Sequence, residues 1–125
     1  MSKLLKILIV EDNPINTLII NKLIAELCTT HSANSGQNAL KMLTENDYDL
    51  VLMDINLGDE HLTGIDVLKK IKASQRNQDI PVIAVTAISD QEELKQLLFD
   101  GFDEIISKPV NREKIFSAIK KYIVI

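Results

Sequence analysis

The chain has 125 residues, 46% of them hydrophobic and 26% charged, and its 14 Lys and Arg against 18 Asp and Glu leave a net charge of −4. This fits one globular domain of ordinary size and excludes both a disordered tail and a disulfide-stapled mini-protein. No Trp, two Tyr and three Phe on an acidic chain argue against direct nucleic-acid binding; no apolar run reaches the roughly 20 residues of a membrane span, and the lone Cys28 points to a reducing, cytoplasmic compartment.

Leu4 to Val10 is a short apolar run. It has a basic flank but no small-residue cleavage site and leads straight into Glu11-Asp12, so it reads as a strand and not a signal peptide. Asn13 can cap a helix with Pro14 at its first position. Ile15, Ile19, Leu23 and Leu27 recur every four residues, with Leu18, Ile20 and Ile24 beside them, which marks that helix. Cys28 closes the stripe and is expected to be buried and inert. Thr29 to Ala33 is β-prone but polar, and His31 within it is read as structural. Ser35 can cap a second helix carrying Ala39, Leu40 and Leu43. Tyr48 to Met53 is an apolar strand ending at Asp54, and the polar loop 56–63 leads into a helix with Ile65, Leu68 and Ile71. Ile80 to Val85 is a fourth strand, ending at Thr86. Ser89 and Glu92 have capping-box spacing ahead of a helix with Leu94, Leu97 and Leu98. Asp103 to Ser107 is a fifth strand, ending at Lys108-Pro109. Asn111 caps a last helix with Ile115, Phe116, Ile119 and Ile123. The closing Tyr122-Ile123-Val124-Ile125 is unusually apolar. Lys69, Lys70, Lys72, Lys120 and Lys121 read as solvated helix faces.

Five strand–helix units without a linker predict a single domain over residues 1–125, of α/β class, with a parallel sheet and right-handed crossovers. Strands one, three and four are nearly continuous apolar runs, as strands covered on both faces are. Strands two and five are more polar and fit the edges. The doubly wound, flavodoxin-like order 2-1-3-4-5 with five flanking helices satisfies this. It puts a switch point between strands one and three, outside whose carboxyl ends ligands bind.

That rim gathers Glu11 and Asp12 from strand one, Asp54 from strand three, Thr86 from strand four and Lys108 from strand five. A pair of carboxylates about 4 Å apart repels by roughly 4 kcal/mol at an effective dielectric near 20, so the cluster calls for a cation. Oxygen-only ligands favour a hard ion, Mg²⁺ or Mn²⁺. The loop Glu11-Asp12-Asn13-Pro14 has no Gly and two negative charges, the opposite of a phosphate-cradling loop.

With LIVEDNP (Leu8 to Pro14), LVLMDIN (Leu50 to Asn56), VIAVTA (Val82 to Ala87) and SKP (Ser107 to Pro109) in order at domain spacing, the chain resembles the receiver domain of two-component response regulators. The resemblance implies that Asp54 accepts a phosphoryl group from a phosphohistidine on a histidine kinase or phosphotransfer protein. It implies that Asp12 and Asp54 bind Mg²⁺ directly, Glu11 largely through water and Asn56 through its backbone carbonyl. It assigns Lys108, the Thr86 hydroxyl and the Ala87 N–H to the phosphoryl oxygens, and a cis peptide before Pro109. The face of helix four, strand five and helix five would then change its affinity for a downstream protein. The EDNPIN opening also resembles receivers attached to hybrid sensor kinases.

The chain departs from the family pattern in its loop and behind its Thr. The family often has a Met-Pro pair after the phosphoacceptor; here Asn56-Leu57-Gly58 follows, the matching Gly is Gly64, and the loop 56–63 is two residues longer than usual. His61 within it reads as a solvated loop residue. Ile105 stands where a Tyr or Phe usually does, so the face of helix four is expected to respond weakly. Ile88 is apolar where polar side chains also occur, so slow self-hydrolysis of the phosphoryl group is expected. The rival readings are a small Mg²⁺-dependent phosphatase with an aspartyl nucleophile, which normally has a second Asp where this chain has Asn56, and a degenerate receiver that only binds.

Overall fold

The structure, a computed structural model, describes residues 5–58 and 61–123. Ten elements alternate along the chain: β1 (Leu5–Val10), α1 (Pro14–Ile24), β2 (Cys28–Ala33), α2 (Gly36–Glu45), β3 (Leu50–Asp54), α3 (Gly64–Ala73), β4 (Val82–Thr86), α4 (Gln91–Asp100), β5 (Glu104–Ser107) and α5 (Arg112–Tyr122). All pairings are parallel, in the order β2-β1-β3-β4-β5. The expected α/β architecture is therefore observed, with the polar strands at the edges. The proposed start of strand one at Leu4, the Asp59-Glu60 part of the long loop and the apolar Val124-Ile125 end lie outside the described residues.

Side chains alternate between the two faces of each strand, and two cores follow. Leu8, Val10, Val51, Met53, Val82 and Ala84 face α2, α3 and α4, meeting Leu43, Val67, Leu68, Ile71 and Leu97. Ile7, Ile9, Leu50, Leu52, Ile83 and Val85 face α1 and α5, meeting Ile20, Ile24, Ile115 and Ile119. The central strands need apolar side chains at every position because both faces are covered.

Caps fix where the helices begin beside the site. Asn13 Oδ1 accepts from Ile15 N–H at 2.8 Å, with Pro14 at the first position. Ser35 and Asn111 cap α2 and α5 as expected. Thr63 and Asp66 form a reciprocal capping box at α3, which the sequence reading did not identify. At α4 the structure corrects the expectation: the cap is Asp90, whose carboxylate accepts from Glu92 N–H at 3.1 Å, and not Ser89.

In α1 the four-residue recurrence through Ile15 and Ile19 does not mark the buried face. Ile20 and Ile24 are buried, whereas Ile15, Leu18 and Ile19 are 67%, 54% and 45% exposed. The helix ends at Ile24, so Leu27 falls beyond it. Cys28 is buried, but at the start of β2, where its Sγ donates to the Ile24 carbonyl; burial pushes the thiol up to about 11, in keeping with an inert residue. His31 Nδ1 lies 2.7 Å from the Tyr48 hydroxyl, an edge-strand tie. Lys69, Lys70, Lys120 and Lys121 are exposed, but Lys72 is half-buried and pairs with Asp103 at 3.6 Å.

Gly64 opens α3 directly behind the end of β3. A Cβ there would lie 2.5 Å from the Asp54 carbonyl oxygen and 2.9 Å from Ile55 Cα, and backbone cannot yield as a side chain can. Gly64→Ala is expected to destabilise the fold by about 1–3 kcal/mol, the range for overpacking. Urea unfolding checks this: an unchanged midpoint would show that β3 and α3 are not in such close contact.

Candidate functional site

Strand register assembles the site. Val10 pairs with Met53, so Glu11 lies beside Asp54; Asp54 pairs with Val85, so Thr86 stands one step past it; Thr86 pairs with Ser107, so Lys108 follows one step on. Lys108 N–H donates to the Thr86 carbonyl at 2.8 Å, and the peptide before Pro109 is cis. An open cleft of about 680 Å³ is lined by Asp12, Asp54, Asn56, Thr86, Ala87 and Lys108 among others. Glu11 lies beneath, at 3% exposure.

The charges are tightly grouped. Glu11, Asp12 and Asp54 each offer a carboxylate oxygen, all within 4.8 Å of one another. Lys108 Nζ sits 3.6 Å from Glu11 Oε1 and 3.5 Å from Asp54 Oδ1. Asp54 Oδ1 also accepts from Asn56 N–H at 3.2 Å, and Glu11 Oε2 from Asp12 N–H at 3.1 Å. Burial pushes the Glu11 carboxyl up; contact with Asp54 adds to this, while a hydrogen bond from Asn16 and the charge of Lys108 oppose it. Glu11 Oε1 is buried without a hydrogen-bond partner, Lys108 standing just too far away for one. A buried acceptor left in this state costs free energy unless a cation or donor reaches it. An all-oxygen donor set with an orphaned buried oxygen fits a hard divalent ion.

Every predicted site residue is at this rim. Asp54 and Thr86 are buried, Lys108 is half-buried, and Asp12, Asn56 and Ala87 are exposed. Thr86 Oγ1 accepts from Ile88 N–H at 3.2 Å. His61 is exposed and lies outside the lining of the cleft. Ile105 and Ile88 are half-buried against the core beneath α4. Asn16 and Gly58 also line the cleft. Neither is picked out by residue pattern as a site residue, since Asn16 sits inside a helix and Gly58 in a polar loop.

The family description "response regulator receiver domain" matches residues 7–120. The chain belongs to that family. The polar-differentiation response regulator DivK of Brucella ovis is 37% identical over 121 residues, covering 94% of each chain. Hybrid signal transduction histidine kinase L of Dictyostelium discoideum is 36% identical over 129 residues. The chain spans only 7% of that kinase and 4% of its relative, hybrid kinase G. Among solved structures, the receiver domain of a Pseudomonas aeruginosa sensor histidine kinase, crystallised with a magnesium ion coordinated in its active-site cleft, superposes with a TM-score of 0.85 at 27% identity, over 96% of this chain and 98% of that one. Chemotaxis protein CheY4 of Vibrio cholerae, at 18% identity, shares the fold with a TM-score of 0.87, over 97% of this chain and all of its own. This receiver domain is therefore a regulatory module of two-component signalling with an acidic pocket suited to a metal ion. A phosphorelay switch fits that membership; neither the phosphatase nor the binding-only reading is favoured. No helix among the described residues is long and apolar enough to cross a membrane.

Lys108 pairs with two buried carboxylates, Glu11 and Asp54. Its replacement, Lys108→Met, is expected to destabilise the metal-free receiver domain by about 1–3 kcal/mol, the cost of leaving a buried acceptor without its compensating partner. Adding Asp54→Asn should restore part of the loss. Denaturant midpoints of the single and double variants check this; a single variant as stable as wild type would mean that Lys108 compensates nothing.

Proposed function

We propose that this chain is one receiver domain over residues 1–125 that works as a cytoplasmic phosphorelay switch with Asp54 as its phosphoacceptor. A carboxylate oxygen of Asp54 attacks the phosphorus of a phosphohistidine carried by a histidine kinase or phosphotransfer protein; the P–N bond breaks and the imidazole leaves with its electron pair. The observation that carries this reading is the convergence of Asp54, two further carboxylates and Lys108 on one open cleft. Glu11, Asp12, Asp54 and the Asn56 carbonyl would hold Mg²⁺, or Mn²⁺ by the same ligand chemistry. The bound ion supplies charge neutralisation to the phosphoryl oxygens, the main need of such transfers.

The protein's own groups do the rest. Lys108 stands at Asp54 and meets an equatorial phosphoryl oxygen, while Ala87 offers its N–H and leaves space for the donor ring. Thr86 accepts from Ile88 N–H and keeps its hydroxyl proton to donate. A phosphoryl group that draws Thr86 inward therefore draws the loop ahead of α4 with it. Only Leu97 of α4 is buried, while Leu98 and Phe99 are 49% and 86% exposed, so this helix is the most lightly anchored. The α4–β5–α5 face is the output surface for a downstream protein. With Ile105 in place of a ring, the response is a modest repacking. On the donor side, exposed Ile15, Leu18 and Ile19 beside the cleft offer an apolar seat for a phosphodonor helix.

Incubation with a small phosphodonor and Mg²⁺ is expected to add one phosphoryl group, about 80 Da, as a hydroxylamine-sensitive adduct. The adduct should be absent without divalent ion and in Asp54→Asn. Apolar Ile88 gives an attacking water few partners, so the adduct should outlast seconds by a wide margin. Intact-mass spectrometry reads all of this; equal labelling of Asp54→Asn would overturn the assignment.

A further inference from the structure

The loop after β3 returns to the acidic cluster through two successive turns. Asn56 N–H donates to Asp54 Oδ1 at 3.2 Å, and Gly58 N–H donates to Asn56 Oδ1 at 3.2 Å. Between them Leu57 is buried in the core shared by α2, α3 and α4, which sets how deep the loop sits. Asn56 therefore spends its side chain on shaping the loop. Gly58 arrives beside Asp12 with φ = 74°, and a Cβ built on it would lie 3.1 Å from Asp12 Oδ2. That oxygen is the one heavy atom of the described residues, chain neighbours aside, within 4 Å of this position.

The asymmetry of this contact has a chemical consequence. Asp12 is exposed, so its carboxylate is free to rotate, whereas Leu57 is locked in the core. A side chain at position 58 is relieved by turning the carboxylate, not by lifting the loop. The carboxylate is then displaced by a few tenths of an ångström from the place it holds beside Glu11 and Asp54. Coordination of a hard ion depends on ligand number and placement, and groups that orient ligands tune affinity.

We infer that Gly58 is a positioning residue for the divalent ion: the absence of a side chain there lets the Asp12 carboxylate stand with Glu11 and Asp54, and any β-carbon lowers cation affinity. The inference rests on the reading of the acidic cluster as a metal site and assigns to the unusual loop a role in how tightly that site binds.

The full chain is made with Gly58→Ala and, separately, with Gly58→Asn, because Asn tolerates left-handed backbone and so separates backbone strain from displacement of Asp12. Melting temperatures are recorded without divalent ions and along a MgCl₂ titration at constant ionic strength. Mn²⁺ binding is read from the free-ion electron paramagnetic resonance signal. Both variants are expected to bind Mg²⁺ and Mn²⁺ about 10-fold more weakly, the size of effect that ligand-orienting groups have. The metal-free melting temperature should fall less in Gly58→Asn than in Gly58→Ala. If Gly58→Ala does not fold, Gly58→Asn carries the same test. Wild-type affinity in a folded variant overturns the role of Gly58 and leaves the metal site standing. A wild-type chain with no Mg²⁺ response removes the metal site and this inference together.

Discussion

Parallel pairing places Glu11 next to Asp54, and Lys108 two strands beyond Asp54 and three beyond Glu11, and that register is the constraint from which the site follows. A parallel ladder offers no freedom to slide, because a one-residue slip would turn every side chain to the other face. Here it would empty two apolar cores at once. The carboxylates are therefore held together by the packing of Ile7 to Val10 and Leu50 to Met53, not by any attraction of their own. At separations near 4 Å such groups repel by roughly 4 kcal/mol in a moderately screened site. The fold offsets this with Lys108 and with backbone N–H groups, and still leaves Glu11 Oε1 buried without a hydrogen-bond partner. An oxygen in that condition suits a site meant to receive a cation.

The same rim divides into rigid and compliant parts. Asp54 is fixed from below by β3, from behind by the close approach of Gly64 and from the side by Asn56 N–H. Asp12 is exposed, with Gly58 close at its flank. On the other side of the cleft, Thr86 is buried and tied to Ile88, while α4 beyond it contributes one buried side chain. A fixed carboxylate beside a lightly held helix is an arrangement in which a local charge change has something to move. A ligand shifts such an equilibrium only through contacts that differ between two states, and on the proposed reading Thr86 would make one.

The alternation of elements, the strand order and the five strand-end residues were all legible in the sequence, because each follows from local periodicity plus one topological rule. Misreadings arose where local signals compete. In α1, apolar residues run around most of the helix, so the spacing of Ile15 and Ile19 looked like a core stripe, although the sheet takes Ile20 and Ile24. At α4, Ser89 and Asp90 are both good caps, and capping-box spacing favoured the wrong one; the geometry gave the cap to Asp90. Cys28 continues the apolar spacing of α1, but the helix stops at Ile24 and Cys28 opens β2. The roles of Asn16 and Gly58 depend on residues meeting across the fold, which no pattern along the chain reports.

Whether one divalent ion sits at this strand rim is measured most directly by amide NMR of the ¹⁵N-labelled chain with trace Mn²⁺. The account predicts that broadening centres on the amides of Glu11, Asp12, Asp54, Asn56 and Gly58, falls off through Ala87 and Lys108, and is reversed by excess Mg²⁺. Broadening centred elsewhere, or none that Mg²⁺ reverses, would contradict it.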